Sequence, residues 1–353
     1  MIYAVPKTIK AAVLETLSKP LVIKTLETPE LLPGQVLVKV IFSGVCRSQL
    51  MEFQGGRGTD NWLPHLLGHE GSGIVVDVGK GVTKVKTGDE VILGWLKSSG
   101  LSAPGAKYLS GNQVINSGQV TTFSNYTVVS ENRLVIKPFG LPFDTAVLFG
   151  CALPTGAGMV LNELKPLVGQ SVIVLGLGGI GMAALIALKA TGVRLIIAID
   201  ISNQKLALAK KLGATYVFNS TQEDFRQSIM DITDGGAHLC IESGGQIETI
   251  EMGFSLIRKN GGSLLFASHP PEGEMIRLSP HELISGKKIA GSWGGATFPE
   301  RDIPIMYDLF KSTNTDLSEL LTKRYPLEQI NEALNDLAAG KVFRPLIAMQ
   351  HSD

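Results

Sequence analysis

Three side chains far apart in the sequence have the chemistry to share one metal ion. Cys46 lies in Ser43-Gly44-Val45-Cys46-Arg47-Ser48, His69 in Leu67-Gly68-His69-Glu70-Gly71, and Cys151 in Phe149-Gly150-Cys151-Ala152-Leu153-Pro154-Thr155-Gly156. Two thiolates and one imidazole suit zinc. Three protein ligands leave a fourth position for water or substrate, as catalytic sites do and four-ligand structural sites do not. Zinc there would bring a coordinated water or alcohol towards a pKa of about 7. Spacing does not establish the set, because the gaps are 23 and then 82 residues. A single Cys is as readily a small buried apolar residue, and a single His a hydrogen-bonded structural one.

A second pattern binds phosphate. Gly176-Leu177-Gly178-Gly179-Ile180-Gly181 has the spacing G-x-G-x-x-G, and Asp200 follows Gly181 by 19 residues. The pattern alone is weak. Here it follows an apolar run that reads as a strand, and it opens a helical stretch, the context a dinucleotide site needs. Gly176 allows the tight turn, Gly178 lets the pyrophosphate come close, and Gly181 lets helix pack on strand. The helix start offers free N–H groups to the phosphates. Asp200, ending the next strand, would accept from the adenosine ribose hydroxyls and repel a 2′-phosphate, which favours NAD over NADP. The other reading is a glycine turn that binds nothing.

The elements that must carry these residues divide into two kinds. The first 155 or so residues read mainly as β, with β-branched runs such as Gln35 to Val40 and Gly73 to Val78 between turn signals such as Leu32-Pro33-Gly34 and Lys86-Thr87-Gly88-Asp89. They predict a partly open barrel or sandwich. After Thr155 the pattern becomes strand, helix, strand. Ser171 to Leu175, Arg194 to Asp200, Thr215 to Phe218, Leu239 to Glu242 and Gly262 to Ala267 are the strands; Met182 to Ala190 and residues 202–212 are helical. Continuous apolar runs suit strands buried on both faces, so this half is an α/β, doubly wound parallel sheet. The tail adds a helix over Leu327 to Ala339 and a strand over Pro345 to Met349.

Bulk properties remove several function classes. The chain has 353 residues, enough for two domains, and 32 basic against 32 acidic residues, with no basic block. Nucleic acid and anionic membrane are poor partners for such a surface. There is no signal-peptide pattern and no apolar run of about 18 residues to span a bilayer. Three cysteines, Cys46, Cys151 and Cys240, make no disulfide framework and fit a reducing cytoplasm. A soluble, cytoplasmic enzyme acting on a small molecule is the expectation.

Together with Gly88-Asp89-Glu90-Val91, these motifs resemble the medium-chain, zinc-containing alcohol dehydrogenase family over nearly the whole chain. The resemblance implies the fold: a GroES-like catalytic domain over 1–155 and 296–353, and a Rossmann NAD-binding domain over 156–295. It implies one catalytic zinc on Cys46, His69 and Cys151. It implies that Ser48 takes the proton from the alcohol and that Glu70 stands beside the zinc. It makes Arg47 and Arg344 pyrophosphate contacts, Lys205 a ribose contact, and Thr155 and Ile180 nicotinamide contacts, with Gly179 completing the turn. Trp95 falls where an aromatic often lines the substrate pocket, or is a plain core aromatic. Subunits of the family commonly pair through a strand edge, here 285–295, so a homodimer or homotetramer is implied.

The sequence also departs from the family. Many members hold a second, structural zinc on four close cysteines. The matching stretch, roughly Lys97 to Ser117, has no cysteine, which predicts a retained lobe without its metal. Gln49 stands where an aspartate is usual, removing a charge near the ligands. Met51 stands where a histidine often ends the proton relay, and a thioether cannot shuttle protons. The expected function is reversible hydride transfer between an alcohol and NAD. Two rivals are a zinc-free NAD(P)H-dependent reductase of the same fold acting on a conjugated carbonyl, and a non-enzymatic NAD-binding protein.

Overall fold

The computed structural model describes residues 4–222, 224–271 and 273–351. They form two compact units. One comprises Met1–Cys151, Phe298–Pro304 and Leu317–Asp353; the other comprises Ala152–Thr297 and Ile305–Asp316.

Among the described residues, ten strands precede Cys151 in the first unit. They are β1 (Thr8–Leu14), β2 (Val22–Glu27), β3 (Gln35–Gly44), β4 (His65–Leu66) and β5 (Gly71–Val78), then β6 (Glu90–Leu93), β7 (Lys107–Ser110), β8 (Gln113–Asn116), β9 (Tyr126–Ser130) and β10 (Leu134–Ile136). Strands β1, β2, β7, β8 and β4 close a barrel. Closure removes the open edges that a small sheet otherwise exposes. The partly open barrel expected from the sequence is therefore a closed one beside a separate sheet. That sheet runs β10-β6-β5-β3, with β9 also on β3.

The second unit carries β11 (Ser171–Leu175), β12 (Leu195–Asp200), β13 (Tyr216–Asn219), β14 (Leu239–Glu242), β15 (Ser263–Phe266) and β16 (Lys288–Gly291). Every pair is parallel, in the order β13-β12-β11-β14-β15-β16. All five residues of β11 are buried, as are all four of β14. That is why these runs carry no polar alternation. The order reverses between β11 and β14, so the crevice for a nucleotide opens at their carboxyl ends.

The chain then returns to the first unit with β17 (Lys323–Pro326) and β18 (Pro345–Ala348), which extend the β3 sheet. Between them the helix Ile330–Ala338 buries Ile330, Ala333, Leu334 and Leu337. These join Val45, Leu50 and Leu67 in one apolar cluster, and each fully buried aliphatic side chain contributes about 1.5–3 kcal/mol. Val45 and Leu67 flank Cys46 and His69, so the tail holds the metal-ligand segments in place.

The unit boundaries differ from 155 and 296. The turn from one unit to the other falls at Cys151, and residues 305–316 cluster with the second unit. The helix Pro299–Ser312 crosses that division. Composition locates a boundary at a change of pattern, whereas a continuous helix can belong to both sides of one.

The lobe over 97–117 is tied by side chains. Glu131 is fully buried, and its carboxylate accepts from the backbone N–H groups of Thr83 (2.7 Å), Lys84 (2.7 Å) and Leu101 (2.6 Å). Lys84 Nζ donates to Ser98 Oγ and to the carbonyl of Ser99, each at 3.0 Å. Ser130 Oγ accepts from Ala103 N at 2.8 Å, and Gln119 Nε2 donates to the Ala103 carbonyl at 2.9 Å. No single helix among the described residues is long and apolar enough to cross a membrane.

Candidate active site

The structure brings Cys46, His69 and Cys151 together within the first unit. Cys46 caps the helix Arg47–Phe53, just past the end of β3. His69 lies between β4 and β5. Cys151 ends the single turn Val147–Gly150. Their donor atoms all lie within 4.8 Å of one another. The sulfurs of Cys46 and Cys151 are 3.9 Å apart, and His69 Nε2 is 3.3 Å from the Cys151 sulfur. Tetrahedral zinc with ordinary bond lengths would set these separations at about 3.8 and about 3.5 Å. The donor set and its spacing therefore fit zinc.

The two thiols are pushed in opposite directions: the hydrogen bond with Cys46, together with burial, holds the Cys151 thiol well above its ordinary pKa. The hydrogen bond from Cys151, against the opposing effect of burial and with help from Arg344 and His69, holds the Cys46 thiol well below its ordinary pKa. Cys46 carries thiolate character, which is the ligating form.

Glu70 sits beside the ligands with no exposed surface. Two glycines make room for it. A Cβ at Gly44 would lie 2.6 Å from Glu70 Oε1, and one at Gly150 would lie 2.8 Å from Glu70 Cβ. Its carboxylate pairs with Arg344 Nη2 at 3.2 Å. Burial pushes the Glu70 pKa up to about 7 against the pull of Arg344. Arg344 is itself buried, and although burial opposes its charge, Glu70, Cys46 and Cys151 raise its pKa. The sequence expectation assigned Arg344 to a pyrophosphate; the structure places it on Glu70 at the metal-ligand cluster.

Ser48 lies in the first turn of the helix that Cys46 caps, and its Oγ is buried with no hydrogen-bond partner. Gln49 is 2% exposed and its amide nitrogen contacts His69 Nδ1, while Gln49 Oε1 is buried and unpartnered. Arg47 is exposed and Met51 half-buried on the same helix. Trp95 follows β6, half-buried, and its backbone N–H donates to the Gly150 carbonyl at 3.3 Å, next to Cys151.

The second unit holds the glycine turn. Gly176 has φ +84°, and a Cβ there would lie 2.5 Å from Gly244 N. A Cβ at Gly178 would meet nothing within 4 Å, so open space faces that position. A Cβ at Gly181 would lie 1.9 Å from the Gly176 carbonyl oxygen. Only glycine fits at Gly176 and Gly181, while Gly178 faces open space. Gly178 caps the helix Gly179–Ala190, so Gly179, Ile180 and Gly181 form its first turn. Asp200 ends β12. Its carboxylate accepts from Leu177 N at 2.7 Å and Ser202 N at 2.9 Å, with Lys205 Nζ 3.7 Å away. Thr155 is buried in the helix Ala152–Gly158 of this unit. Glu242 and Ser243, at the end of β14, reach this turn and were not singled out from sequence. No local pattern marks them, because what they touch is set by the order of the parallel strands.

An alcohol dehydrogenase GroES-like domain model matches residues 32–139, and a zinc-binding dehydrogenase model matches residues 179–312. Benzyl alcohol dehydrogenase from Acinetobacter calcoaceticus is 29% identical, covering 98% of this chain and 100% of its own, at TM-score 0.88. An alcohol dehydrogenase zinc-binding domain protein from Burkholderia ambifaria is 28% identical over 98% and 99%, at TM-score 0.90. The 2R,3R-butanediol dehydrogenase from Bacillus subtilis is 27% identical over 96% and 99%, at TM-score 0.77.

Proposed function

The chain belongs to the medium-chain alcohol dehydrogenase family, and from that premise we propose that it is a zinc-dependent, NAD-linked dehydrogenase acting on a small alcohol. The observation that carries the reading is the cluster of Cys46, His69 and Cys151, whose donor atoms all lie within 4.8 Å of one another. Zinc held by these three residues would supply Lewis acidity to an alcohol oxygen, and a nicotinamide cofactor bound at the glycine turn would supply the hydride acceptor.

The chain's own residues do the rest. Ser48 Oγ, buried and unpartnered two residues after Cys46, accepts the alcohol proton. Met51 has no titratable group with which to continue a relay. Gln49 orients the His69 ring through Nδ1. Glu70 and Arg344 place a buried ion pair beside the ligands, which raises the stakes of every charge at the cluster because little water screens it. Gly176 to Gly181 receive the pyrophosphate, and the Asp200 carboxylate favours ribose hydroxyls over a 2′-phosphate. Relatives named for benzyl alcohol and for butanediol point to alcohols as the substrate class. Trp95, whose backbone N–H bonds the Gly150 carbonyl next to Cys151, is the aromatic nearest in sequence to the pocket position that the family uses.

Subunits pair through β16. It is the last strand of its sheet, and exposed Leu283 and Ile284 precede it.

Elemental analysis of protein purified without added metal, followed by an alcohol panel with NAD, tests the reading. About one zinc per chain and NAD reduction on an alcohol are expected. A metal-free protein that still turns over a conjugated carbonyl overturns it in favour of the zinc-free reductase.

A further inference from the structure

The glycine turn is braced from across the switch point. Strand β14 lies beside β11, with Glu242 opposite Leu175. Ser243 follows Glu242. Its N–H donates to the Leu175 carbonyl at 2.8 Å, and its hydroxyl donates to the Gly176 carbonyl at 2.6 Å. The next amide along, Leu177 N, donates to Asp200 Oδ2 at 2.7 Å. These two bonds grip one peptide unit, Gly176–Leu177, by its oxygen from one side and by its N–H from the other.

That grip matters for an anion. A helix start binds phosphate because N–H groups point at the ligand and carbonyl oxygens do not. Gly176 has φ +84° and no Cβ, so its peptide plane rotates more freely than that of any other residue type. Unheld, the Gly176 carbonyl is free to swing towards the phosphates and repel them. Ser243 is itself fixed. Ser268 Oγ donates to its carbonyl at 2.9 Å. Glu242, fully buried, accepts through Oε1 from Gly244 N (2.6 Å), Gly245 N (2.9 Å) and Thr249 Oγ1 (2.8 Å). This clamp keeps the Gly244 backbone within the close approach that Gly176 permits.

We propose that Ser243, held in place by the Glu242 clamp, is a positioning residue for the dinucleotide: with Asp200 it pins the Gly176–Leu177 peptide so that the turn presents donors, not an oxygen, to the pyrophosphate. The proposal rests on the dinucleotide reading of this turn. It assigns Asp200 a second task besides the ribose, since the same carboxylate holds the other end of the peptide.

The test titrates the full, zinc-loaded chain with NADH and with ADP-ribose, in wild type, Ser243→Ala and Ser243→Thr. Loss of the hydroxyl should weaken both ligands by about tenfold, the size of one well-made hydrogen bond. Threonine, which keeps the hydroxyl, should restore affinity to within about threefold. In turnover the loss should appear in KM for NAD and not in kcat, because ground state and transition state share the pyrophosphate contact. A general loosening of the fold would move kcat and thermal midpoint together. Wild-type affinity for both ligands in Ser243→Ala overturns the proposal while leaving the dinucleotide reading intact. A wild-type chain that binds neither NADH, NADPH nor ADP-ribose overturns both. Should the alanine chain not fold, Ser243→Val, which has no donor and matches threonine in shape, is read against Ser243→Thr in its place with the same two outcomes.

Discussion

Two parts of the first unit solve the same problem in opposite ways. At the ligand cluster, buried polar atoms are left without partners: Ser48 Oγ, Gln49 Oε1 and both Glu70 oxygens lack hydrogen bonds, apart from the Glu70–Arg344 ion pair. In the lobe over 97–117, the chain satisfies itself: Glu131 takes three backbone N–H groups from two segments, and Lys84, Ser130 and Gln119 bond the rest. Buried polar groups without partners are costly. Unpartnered buried polar atoms also occur singly elsewhere, at Thr28, Ser124 and His351. What distinguishes the cluster is that several gather beside three metal-ligand side chains, whereas the lobe gathers none.

The sharpest way to break this comparison is to remove a ligand. Cys46→Ala should cut kcat/KM for an alcohol with NAD by about a thousandfold or more, since a Lewis acid contributes several kcal/mol to the barrier. Zinc per chain should fall close to zero in the same preparation, and NADH affinity should hold, because the glycine turn lies on the other unit. Turnover at the wild-type rate in Cys46→Ala would show that the cluster is only a packed core of sulfur and imidazole.

The lobe should respond in the opposite sense. Glu131→Gln puts an amide N–H where a backbone N–H now donates, and it should lower unfolding free energy by about 2–4 kcal/mol, read from denaturant curves. Zinc content should stay at the wild-type value. Acid sharpens the point. Burial pushes the Glu131 pKa up, but the N–H groups of Leu101, Lys84 and Thr83, with the Lys84 charge, bring it below the ordinary glutamate value. A carboxylate depressed on folding contributes stability that is complete above its unfolded pKa of about 4.3 and fades as pH falls through the folded value. The gap between wild type and Glu131→Gln should therefore be constant near neutrality and narrow below about pH 4. A gap that widens in acid would mean the carboxylate is not what ties the lobe.

How much of this could be read from sequence depends on how local each signal is. Strands β11, β12 and β14 are continuous apolar runs, and the glycine turn is contiguous, so the parallel sheet and its nucleotide crevice were legible. The metal ligands were legible only as a set, because the 23 and 82 residue gaps carry no spacing rule and it was the surrounding motifs that joined them. Glu131 was not legible. Its partners lie 48, 47 and 30 residues away, and an isolated glutamate has no pattern that announces three backbone donors. Ser243 was hidden for a related reason: its task is set by the neighbouring parallel strand, and sheet order is not written in a local run. Arg344 was legible as a cation but not in its partner, since the Glu70 pocket exists only once Gly44 and Gly150 have come together around it.

The smallest effect tests the join between the two behaviours, where a chain group would serve a bound metal. His69 Nε2 points at the Cys151 sulfur and Nδ1 at the Gln49 amide. An imidazole that gives Nε2 to a metal carries its proton on Nδ1 and needs an acceptor there. An amide can supply one by presenting Oε1, the very oxygen that is buried and unpartnered in this structure. Metal binding would then satisfy two groups at once, the ring N–H and the Gln49 oxygen, with no added charge. Gln49→Leu keeps the bulk and removes the acceptor. It should weaken zinc retention by roughly 10- to 100-fold in competition with a chelator, a readout that needs no turnover. Gln49→Glu keeps the reach and adds a charge, and should hold zinc at least as firmly as wild type. Equal retention in wild type and Gln49→Leu would mean that Gln49 fills space beside His69 and that the ring is oriented by packing alone.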